Sequence, residues 1–296
     1  MKPLSEYAAL ADAALKTALP QKNGFSDALY DACAYSLLAG GKRLRPSLVL
    51  AAADYMGVDL EEAMPYALAM EMLHASSLIH DDLPAVDNDT LRRGKPTNHV
   101  VFGEAMAVLS GDGLMAYAFE TMLKGAKKYP ENGFAHLEAM NCVAIANGLS
   151  GMLAGQAADV YFEKNGAEGK NQAELLRYIH EKKTAALITG ALLAGLSLGA
   201  PDDKTKEAFS RYGKYLGLAF QAADDILDAT STTEEMGKTV GKDAQEGKLT
   251  YVALYGLEEA KNQLEKLTDA AICAISPVDR DGYFASVAKA LLVRKN

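Results

Sequence analysis

Two acidic runs, each at the end of a long apolar stretch, constrain this chain more than any other feature. The first is segment 80–89, HDDLPAVDND, and the second is segment 221–228, QAADDILD. Carboxylates rarely close an apolar helix without a partner, because burying an ionised side chain is costly. Hard divalent cations that also bridge phosphate oxygens would satisfy both runs. The pair therefore predicts apolar helices whose acidic ends share a cationic partner.

Composition limits the classes of function. The chain has 296 residues, of which 49% are apolar, and its formal net charge is −9. Blocks of Lys and Arg long enough to bind nucleic acid are absent, so we exclude nucleic acid as a partner. Cys33, Cys142 and Cys273 are scattered without metal-type spacing, which is typical of reduced core cysteines in a cytoplasmic protein.

Targeting and membrane segments are not predicted. Residues 1–20 carry acidic side chains among alanines and lack the basic-then-apolar order of a signal peptide. Residues 184–200 are almost uncharged, but they are rich in Gly and Ala and fall short of the roughly 20 residues that a membrane helix needs. We therefore expect a buried helix there and no integral membrane segment.

Helical periodicity covers most of the chain. Gly, Pro and Asn clusters separate long segments, and Pro46 and Pro65 suit the first positions of helices. The predicted helices are two within 1–39, then 66–79, 103–128, 134–164, 171–198, 204–229, 244–269 and 281–294. Runs of alternating β-branched residues are missing, so strands are not predicted. No linker or repeat is visible, and residues 1–296 are predicted to form one all-α domain of about ten or more helices.

The second acidic run fits one stripe of a helix. Gln221, Asp224, Asp225 and Asp228 have the spacing i, i+3, i+4 and i+7. Glycines at 213 and 217 continue this stripe upstream, which suggests an open groove with carboxylates at its mouth. A solvated helix end is the simpler interpretation of an isolated run. Like charges at a helix C-terminus oppose the macrodipole, which favours a bound cation.

The first acidic run needs a bend. Pro84 should end the helix, so Asp87 must fold back from the loop to meet Asp81. Asp81 and Asp82 alone resemble an ordinary helix end. The shared composition of the two runs makes chance less probable and predicts a pair of magnesium sites.

Cationic residues lie close in sequence to both acidic runs. Segment 92–95, RRGK, follows the first run, and segment 41–45, GKRLR, opens a helix whose N-terminus suits an anion. Lys183 precedes the apolar stretch, and Lys238 and Lys248 follow the second run. Magnesium bound by carboxylates is commonly shared with substrate phosphates, so a diphosphate is the simplest ligand.

Two further features have alternative interpretations. His74 lies two helical turns before Asp81 and is either a core histidine or a ligand-binding one. Glycines at 148, 151 and 155 share a helix side with Asp159, and Gln156 lies beside them. Such a stripe indicates either close helix packing or the wall of a channel.

Together these motifs resemble the short-chain trans-prenyl diphosphate synthases, the family of farnesyl and geranylgeranyl diphosphate synthases, over essentially the whole chain. The resemblance is carried by GKRLRP at 41–46, DDxxxxD at 81–87, LRRG at 91–94, QxxD at 156–159, KT at 183–184, FQxxDDxxD at 220–228 and GKxxGxD at 237–243. It implies the isoprenoid synthase fold, with helices around a central cavity, and a homodimer. It also implies three Mg²⁺ per active site.

The resemblance also implies roles for individual residues. Magnesium ligands would be Asp81, Asp82, Asp87, Asp224 and Asp228. The allylic diphosphate would be bound by Arg92, Lys183, Lys238 and Lys248. Isopentenyl diphosphate would be bound by Lys42, Arg45, His74 and Arg93. Thr184 and Gln221, with Lys183, would line the reacting centre.

Product length depends in this family on the fifth residue before the first aspartate. That residue is Ser76, about 7.5 Å along the helix from Asp81. Its small size permits a product longer than farnesyl unless Met115 or Tyr117 closes the pocket. Resemblance to bacterial farnesyl synthases makes farnesyl diphosphate the first prediction, and geranylgeranyl diphosphate is the alternative. Two remoter alternatives are a non-catalytic synthase subunit and a terpene cyclase.

Overall fold

A computed structural model describes residues 1–22, 24–230 and 248–292. In this part of the chain the backbone is mostly helical, as predicted. The helices are α1 (Leu4–Leu15), α2 (Asp27–Leu37), α3 (Leu44–Tyr55), α4 (Leu60–Asp81), α5 (Asn98–Phe102), α6 (Glu104–Ala126), α7 (Gly133–Asn147), α8 (Met152–Asn165), α9 (Gln172–Ile179), α10 (Ala186–Ser197), α11 (Asp203–Thr230), α12 (Tyr251–Tyr255), α13 (Leu257–Ile275) and α14 (Tyr283–Leu292). A 3₁₀ turn, Pro130–Asn132, precedes α7, and a π-helical segment, His180–Ala185, joins α9 to α10.

The chain divides into two compact units. The first contains Met1–Asn141 and Ala194–Ala200, and the second contains Cys142–Leu193 and Pro201–Asn296. The single domain expected for residues 1–296 stays a prediction.

The first unit is built on the packing of α4 against α6. His80, near the end of α4, meets Gly111 near the start of α6, whereas Pro65, near the start of α4, meets Gly125. The two helices therefore run antiparallel. A Cβ atom at position 111 would lie 2.1 Å from the His80 ring, so a larger residue there would require the ring to move.

Pro65 lies inside α4, and its predicted place at the start of a helix is wrong. The helix begins one turn earlier because the Asp59 side chain accepts the Glu61 N–H at 2.9 Å and caps it. A similar shift places Pro46 third in α3, after Leu44.

The second unit packs α11 against the π-helical segment and α13. Glycines 213 and 217 of α11 lie against Thr189 and Ala185, and a Cβ at position 217 would come within 2.4 Å of the Ala185 Cα atom. The open groove suggested for these glycines is therefore wrong, because neighbouring backbone fills the space. The helix predicted at 171–198 is continuous, and its apolar part is buried, as expected for residues such as Ile188 and Leu192.

Two predicted helices are each divided. The segment 134–164 breaks between α7 and α8, where Gly151 leaves the helical conformation with φ −120° and ψ −131°. The segment 244–269 is described from residue 248, and it breaks at Gly256, whose φ is +79°.

A short antiparallel hairpin departs from the all-helical prediction. Strands β1 (Leu91–Arg92) and β2 (Lys95–Pro96) are joined by Arg93 and Gly94, both with positive φ. Arg92 therefore lies on β1, and Arg93 lies on the turn that follows it.

Cysteines and helix lengths test two further expectations. Cys33 is buried, but Cys273 is exposed and is therefore not a core residue. Within the described residues, none of the helices is long and apolar enough to cross a membrane.

Candidate active site

The first acidic run bends as Pro84 predicts. Helix α4 ends at Asp81, and the Asp87 N–H donates to the Asp81 carbonyl oxygen at 2.9 Å. The Asn88 N–H donates to the Leu83 carbonyl oxygen at 3.0 Å and closes the same turn. Asn88 has a φ of +50°. The turn therefore returns Asp87 to the helix end, and the backbones of Asp81 and Asp87 meet there.

Asp82 has a different environment from Asp81. Its side chain is buried. Its Oδ1 atom accepts hydrogen bonds from Arg92 Nε at 2.8 Å and from Arg92 Nη2 at 2.6 Å. Burial raises the pKa of Asp82, although the arginine opposes this shift. Arg92 is thus fixed by the aspartate that precedes it in the motif.

The turn before α3 holds a buried arginine between two candidate ligand residues. Arg43 has a φ of +48° and is only 4% exposed. Its guanidinium binds Glu71 at 2.6 Å, Asp12 at 3.0 Å and the Leu37 carbonyl at 3.1 Å. These contacts fix the backbone on which Lys42 and Arg45 lie.

Arg93 packs on the same turn. Its guanidinium donates to the Gly40 carbonyl, and a Cβ atom at Gly41 would collide with it at 2.7 Å. The structure therefore brings Arg93 next to the turn that carries Lys42.

A pocket that is open to solvent lies in the first unit. Its lining includes His74, Asp82, Arg92 and Arg93. Burial lowers the pKa of His74 well below its usual range, and the charges of nearby arginines, Arg45 first, lower it further. The imidazole is therefore neutral at neutral pH, and the cationic wall suits an anionic ligand. Lys42 and Arg45 are not among the residues that line this pocket.

Ser76 lies on the face of α4 that packs against α6. It is one turn from Met72, whose sulfur accepts from Thr121 at 3.9 Å, and one turn from His80, which contacts the Val108 carbonyl at 3.2 Å. Ser76 is 4% exposed. The opposing part of α6 contains Met115 and Tyr117, as the antiparallel register requires.

In the second unit, the π-helical segment carries the predicted lysine and threonine. Such segments are rare and are frequent at functional sites. Gly155 of α8 allows α8 to approach this segment closely, because a Cβ atom at position 155 would lie 2.1 Å from the backbone nitrogen of Lys183. The glycine stripe therefore serves close helix packing at this point. Lys183 Nζ binds Asp159 at 2.6 Å.

Thr184 and Gln221 are in direct contact. The Thr184 hydroxyl donates to Gln221 Oε1 at 2.6 Å, and Gln221 Nε2 donates to Asp225 at 2.9 Å. Asp225 also accepts the Tyr251 N–H at 2.8 Å. Asp224 and Asp228 lie one turn apart on α11, and Asp228 is buried.

Two predicted lysines have different outcomes. Lys238 lies outside the described residues. Lys248 is described and half-buried just before α12.

In the described ranges, no group of three or more acidic, histidine or cysteine side chains is arranged so that it could hold a metal ion by itself. The available donors are carboxylate oxygens, which fit Mg²⁺ that is completed by phosphate oxygens of a substrate.

Sequence reasoning missed the roles of Arg43, Glu71 and Asp225. Arg43 lies in the motif between Lys42 and Arg45, and nothing in the local sequence indicated that Arg43 would be the buried residue. Asp225 had a partial signal, since it lies four residues after Gln221 on one helical stripe.

The family model described as polyprenyl synthetase matches residues 26–276. A geranylgeranyl diphosphate synthase of Cyanophora paradoxa is 43% identical over 270 residues, which are 90% of this chain and 87% of the relative. A dimethylallyltranstransferase of Fischerella ambigua is 43% identical over 268 residues, 90% of this chain and 75% of the relative.

Two solved structures are also similar to this chain. The apo structure of an FPP/GFPP synthase from Zymomonas mobilis has a TM-score of 0.85 and 36% identity, over 98% of this chain and 97% of that one. A geranyltransferase from Helicobacter pylori, complexed with magnesium and isoprenyl diphosphate, has a TM-score of 0.82 and 34% identity over 98% and 95%.

Proposed function

Because the chain belongs to the polyprenyl synthetase family and is a prenyltransferase with the all-α isoprenoid synthase fold, we propose that it makes geranylgeranyl diphosphate. The substrates are isopentenyl diphosphate and a shorter allylic diphosphate. The observation that carries this product is Ser76, a small and buried side chain where a bulky one would limit growth.

Farnesyl diphosphate, the first prediction from sequence, becomes the second candidate. Several similar relatives are named geranylgeranyl synthases, which favours the longer product. The Zymomonas structure is described as an FPP/GFPP synthase, a name that includes the shorter candidate. Tyr117 is less suited to close the pocket than Met115, because its hydroxyl donates to the Ala18 carbonyl at 3.0 Å.

In the first unit, Asp81 and Asp87 would hold magnesium together with diphosphate oxygens of the allylic substrate. Bound magnesium supplies stabilisation of the negative charge that develops on the leaving diphosphate. Arg92, held by Asp82, adds a directed positive charge to the same oxygens.

Isopentenyl diphosphate would be bound by residues near the pocket of the first unit. Arg93 and the neutral His74 line it, and His74 in that state donates one hydrogen bond. Lys42 and Arg45 add charge from the turn that Arg43 fixes.

In the second unit, Asp224 and Asp228 would bind magnesium. Lys183 and Lys248, with Lys238 outside the described residues, would bind the allylic diphosphate. Lys183 is paired with Asp159 here, so a diphosphate would have to compete for its ammonium group. The Thr184 hydroxyl oxygen and the Gln221 amide oxygen would stabilise an allylic cation.

The reaction then has three parts. The allylic carbon–oxygen bond breaks while cationic side chains stabilise the diphosphate. The double bond of isopentenyl diphosphate attacks the allylic cation, and a new carbon–carbon bond forms. The proton that is lost passes to the departing diphosphate, so the chain needs no side-chain base, and the nucleophile is the substrate double bond itself.

A homodimer is proposed as the assembly. In the first unit, large apolar side chains are exposed on α5, α6 and α7, among them Val101, Leu109, Phe134 and Leu137. Phe134 is 76% exposed, which is unusual for a ring on a helix. Light scattering should give twice the mass of the chain, and a monomer would refute the proposal.

Diphosphate release tests the reaction itself. Purified protein with Mg²⁺, isopentenyl diphosphate and farnesyl diphosphate should release inorganic diphosphate, and omission of either substrate should abolish release. Release from farnesyl diphosphate alone with a cyclic hydrocarbon would indicate a terpene cyclase. Absence of turnover without a partner chain would indicate a non-catalytic subunit and would overturn the proposal.

A further inference from the structure

A directional chain of hydrogen bonds links three elements of the second unit. The Tyr251 N–H, at the start of α12, donates to Asp225 Oδ2 at 2.8 Å. Asp225 Oδ1 accepts from Gln221 Nε2 at 2.9 Å, and Gln221 Oε1 accepts from Thr184 at 2.6 Å. Asp225 and Thr184 are 5% and 7% exposed, so water contributes little to this chain.

The chemistry of the groups fixes the direction of this chain. A backbone N–H can only donate, and an ionised carboxylate can only accept. The amide nitrogen of Gln221 must therefore face Asp225 in order to donate to its carboxylate. The amide oxygen must then face Thr184, whose hydroxyl donates its single proton to it. Both lone pairs of the Thr184 oxygen remain for another partner.

We propose that Asp225 is a positioning residue that acts through Gln221 to orient the Thr184 hydroxyl. The orientation presents an electron-rich oxygen, and not a proton, to the allylic cation. This proposal rests on the proposed prenyl transfer. It separates Asp225 from Asp224 and Asp228, whose proposed role is to bind magnesium.

The surroundings support an orienting role. His180 Nε2 is 3.9 Å from Asp225 Oδ2, beyond hydrogen-bond distance. Burial lowers the pKa of His180 to about 4, so the imidazole is neutral and adds no competing charge. Gly217 brings α11 against Ala185, which keeps Gln221 and Thr184 within reach of each other.

The substitution Asp225→Asn reverses the chain. The single oxygen of asparagine must serve the Tyr251 N–H, because that donor cannot turn. Its NH₂ group then faces Gln221, whose amide turns over and donates to Thr184. The Thr184 hydroxyl now points its proton at the cation. We expect kcat to decrease about 10- to 100-fold, the effect of one charge-assisted hydrogen bond, while KM values change less than about threefold.

A second substitution should restore the direction. In Asp225→Asn/Gln221→Glu, the carboxylate at position 221 accepts from both the asparagine and Thr184, and the total charge equals that of the wild type. We expect at least about tenfold recovery of kcat. In a Thr184→Val background, Asp225→Asn should lower kcat by less than about threefold, because the hydroxyl that Asp225 orients is absent.

Three results would overturn the proposal. They are additive losses in the Thr184→Val background, no recovery in the folded double variant, and a higher Mg²⁺ requirement in Asp225→Asn. Neutron diffraction of the deuterated ligand-free protein is independent of activity. It should show the Gln221 deuterons facing Asp225 in the wild type and facing Thr184 in Asp225→Asn. Unchanged orientation refutes the chain even if turnover is normal, whereas the expected orientation in an inactive protein would refute only the proposed prenyl transfer.

Discussion

The guanidinium of Arg92 binds the carboxylate of Asp82 through Nε at 2.8 and 3.0 Å and through Nη2 at 2.6 Å. The adjacent Asp81 closes α4 and meets Asp87 through the backbone. Two neighbouring aspartates of one motif therefore have different partners, and their substitutions should have different kinetic effects.

Asp81→Asn should lower kcat about 100-fold or more, since it removes a group that stabilises developing charge. It should also raise the Mg²⁺ concentration needed for half-maximal rate. Steady-state kinetics over a Mg²⁺ titration measure both. Asp269→Asn, on the exposed side of α13, is the matched control and should leave both unchanged.

Asp82→Asn should act mainly through Arg92. Loss of the carboxylate releases the guanidinium, so KM for the allylic diphosphate should increase about tenfold, the effect typical of a residue that orients a ligand. Its Mg²⁺ dependence should stay close to that of the wild type. A shift in Mg²⁺ requirement as large as that of Asp81→Asn would instead identify Asp82 as a metal ligand, as the family resemblance implies.

Arg43→Met should destabilise the protein by about 3–5 kcal/mol, because it leaves Glu71 as a buried carboxylate that has lost its partner. Urea unfolding measures the change. The control is Arg177→Met, which removes an exposed ion pair to Glu181 at 2.8 Å and should cost less than about 1 kcal/mol. Equal losses in the two variants would show that burial of the Arg43 pair is unimportant.

The contrast between these two arginines shows what sequence can and cannot give. The motif GKRLR predicted an anion-binding turn, and the structure forms one turn with Arg93 packed on it. Which of its cations is buried depends on Glu71 and Asp12, which lie on other helices. Such tertiary partners leave no local pattern in the sequence.

Acid should destabilise the protein through His180. Its pKa is about 4 in the folded chain against 6.5 for the free side chain, because burial disfavours the charged ring. The unfolded chain therefore binds the proton more tightly, and stability is lost as the pH falls from 6.5 toward 4. Between pH 7 and pH 5 this one group should remove about 2 kcal/mol.

Urea unfolding of the wild type and of His180→Gln at several pH values isolates that contribution. The difference between the two proteins in free energy of unfolding should change by about 2 kcal/mol in favour of the variant as the pH falls from 7 to 5. Parallel pH profiles would contradict a buried neutral histidine.

Ser76→Tyr should shorten the product, because a ring at this buried position on the α4 face toward α6 takes up space for the growing chain. Chromatography of the dephosphorylated alcohols measures product length. Ser76→Ala keeps the side chain small and should give the wild-type product. The same product from Ser76→Tyr would show that product length is set elsewhere.

Helical periodicity predicted most of the fold because apolar stripes and Gly or Pro breaks are local signals. It failed where tertiary contacts decide, as at Pro65, which α4 accommodates against Gly125, and at Gly217, whose space is filled by Ala185. In the candidate site, the motifs singled out Thr184 and Gln221, whereas the hydrogen bond between them and the contact of Asp225 with the Tyr251 N–H depend on the tertiary structure.

Mass spectrometry of the product made from dimethylallyl diphosphate and ¹³C-labelled isopentenyl diphosphate, with Mg²⁺, tests the central claim most directly. We predict geranylgeranyl diphosphate that carries three labelled isopentenyl units, with no product when Mg²⁺ is chelated. A product that stops at two labelled units would contradict the geranylgeranyl assignment, and the absence of any labelled coupled product would contradict prenyl transfer.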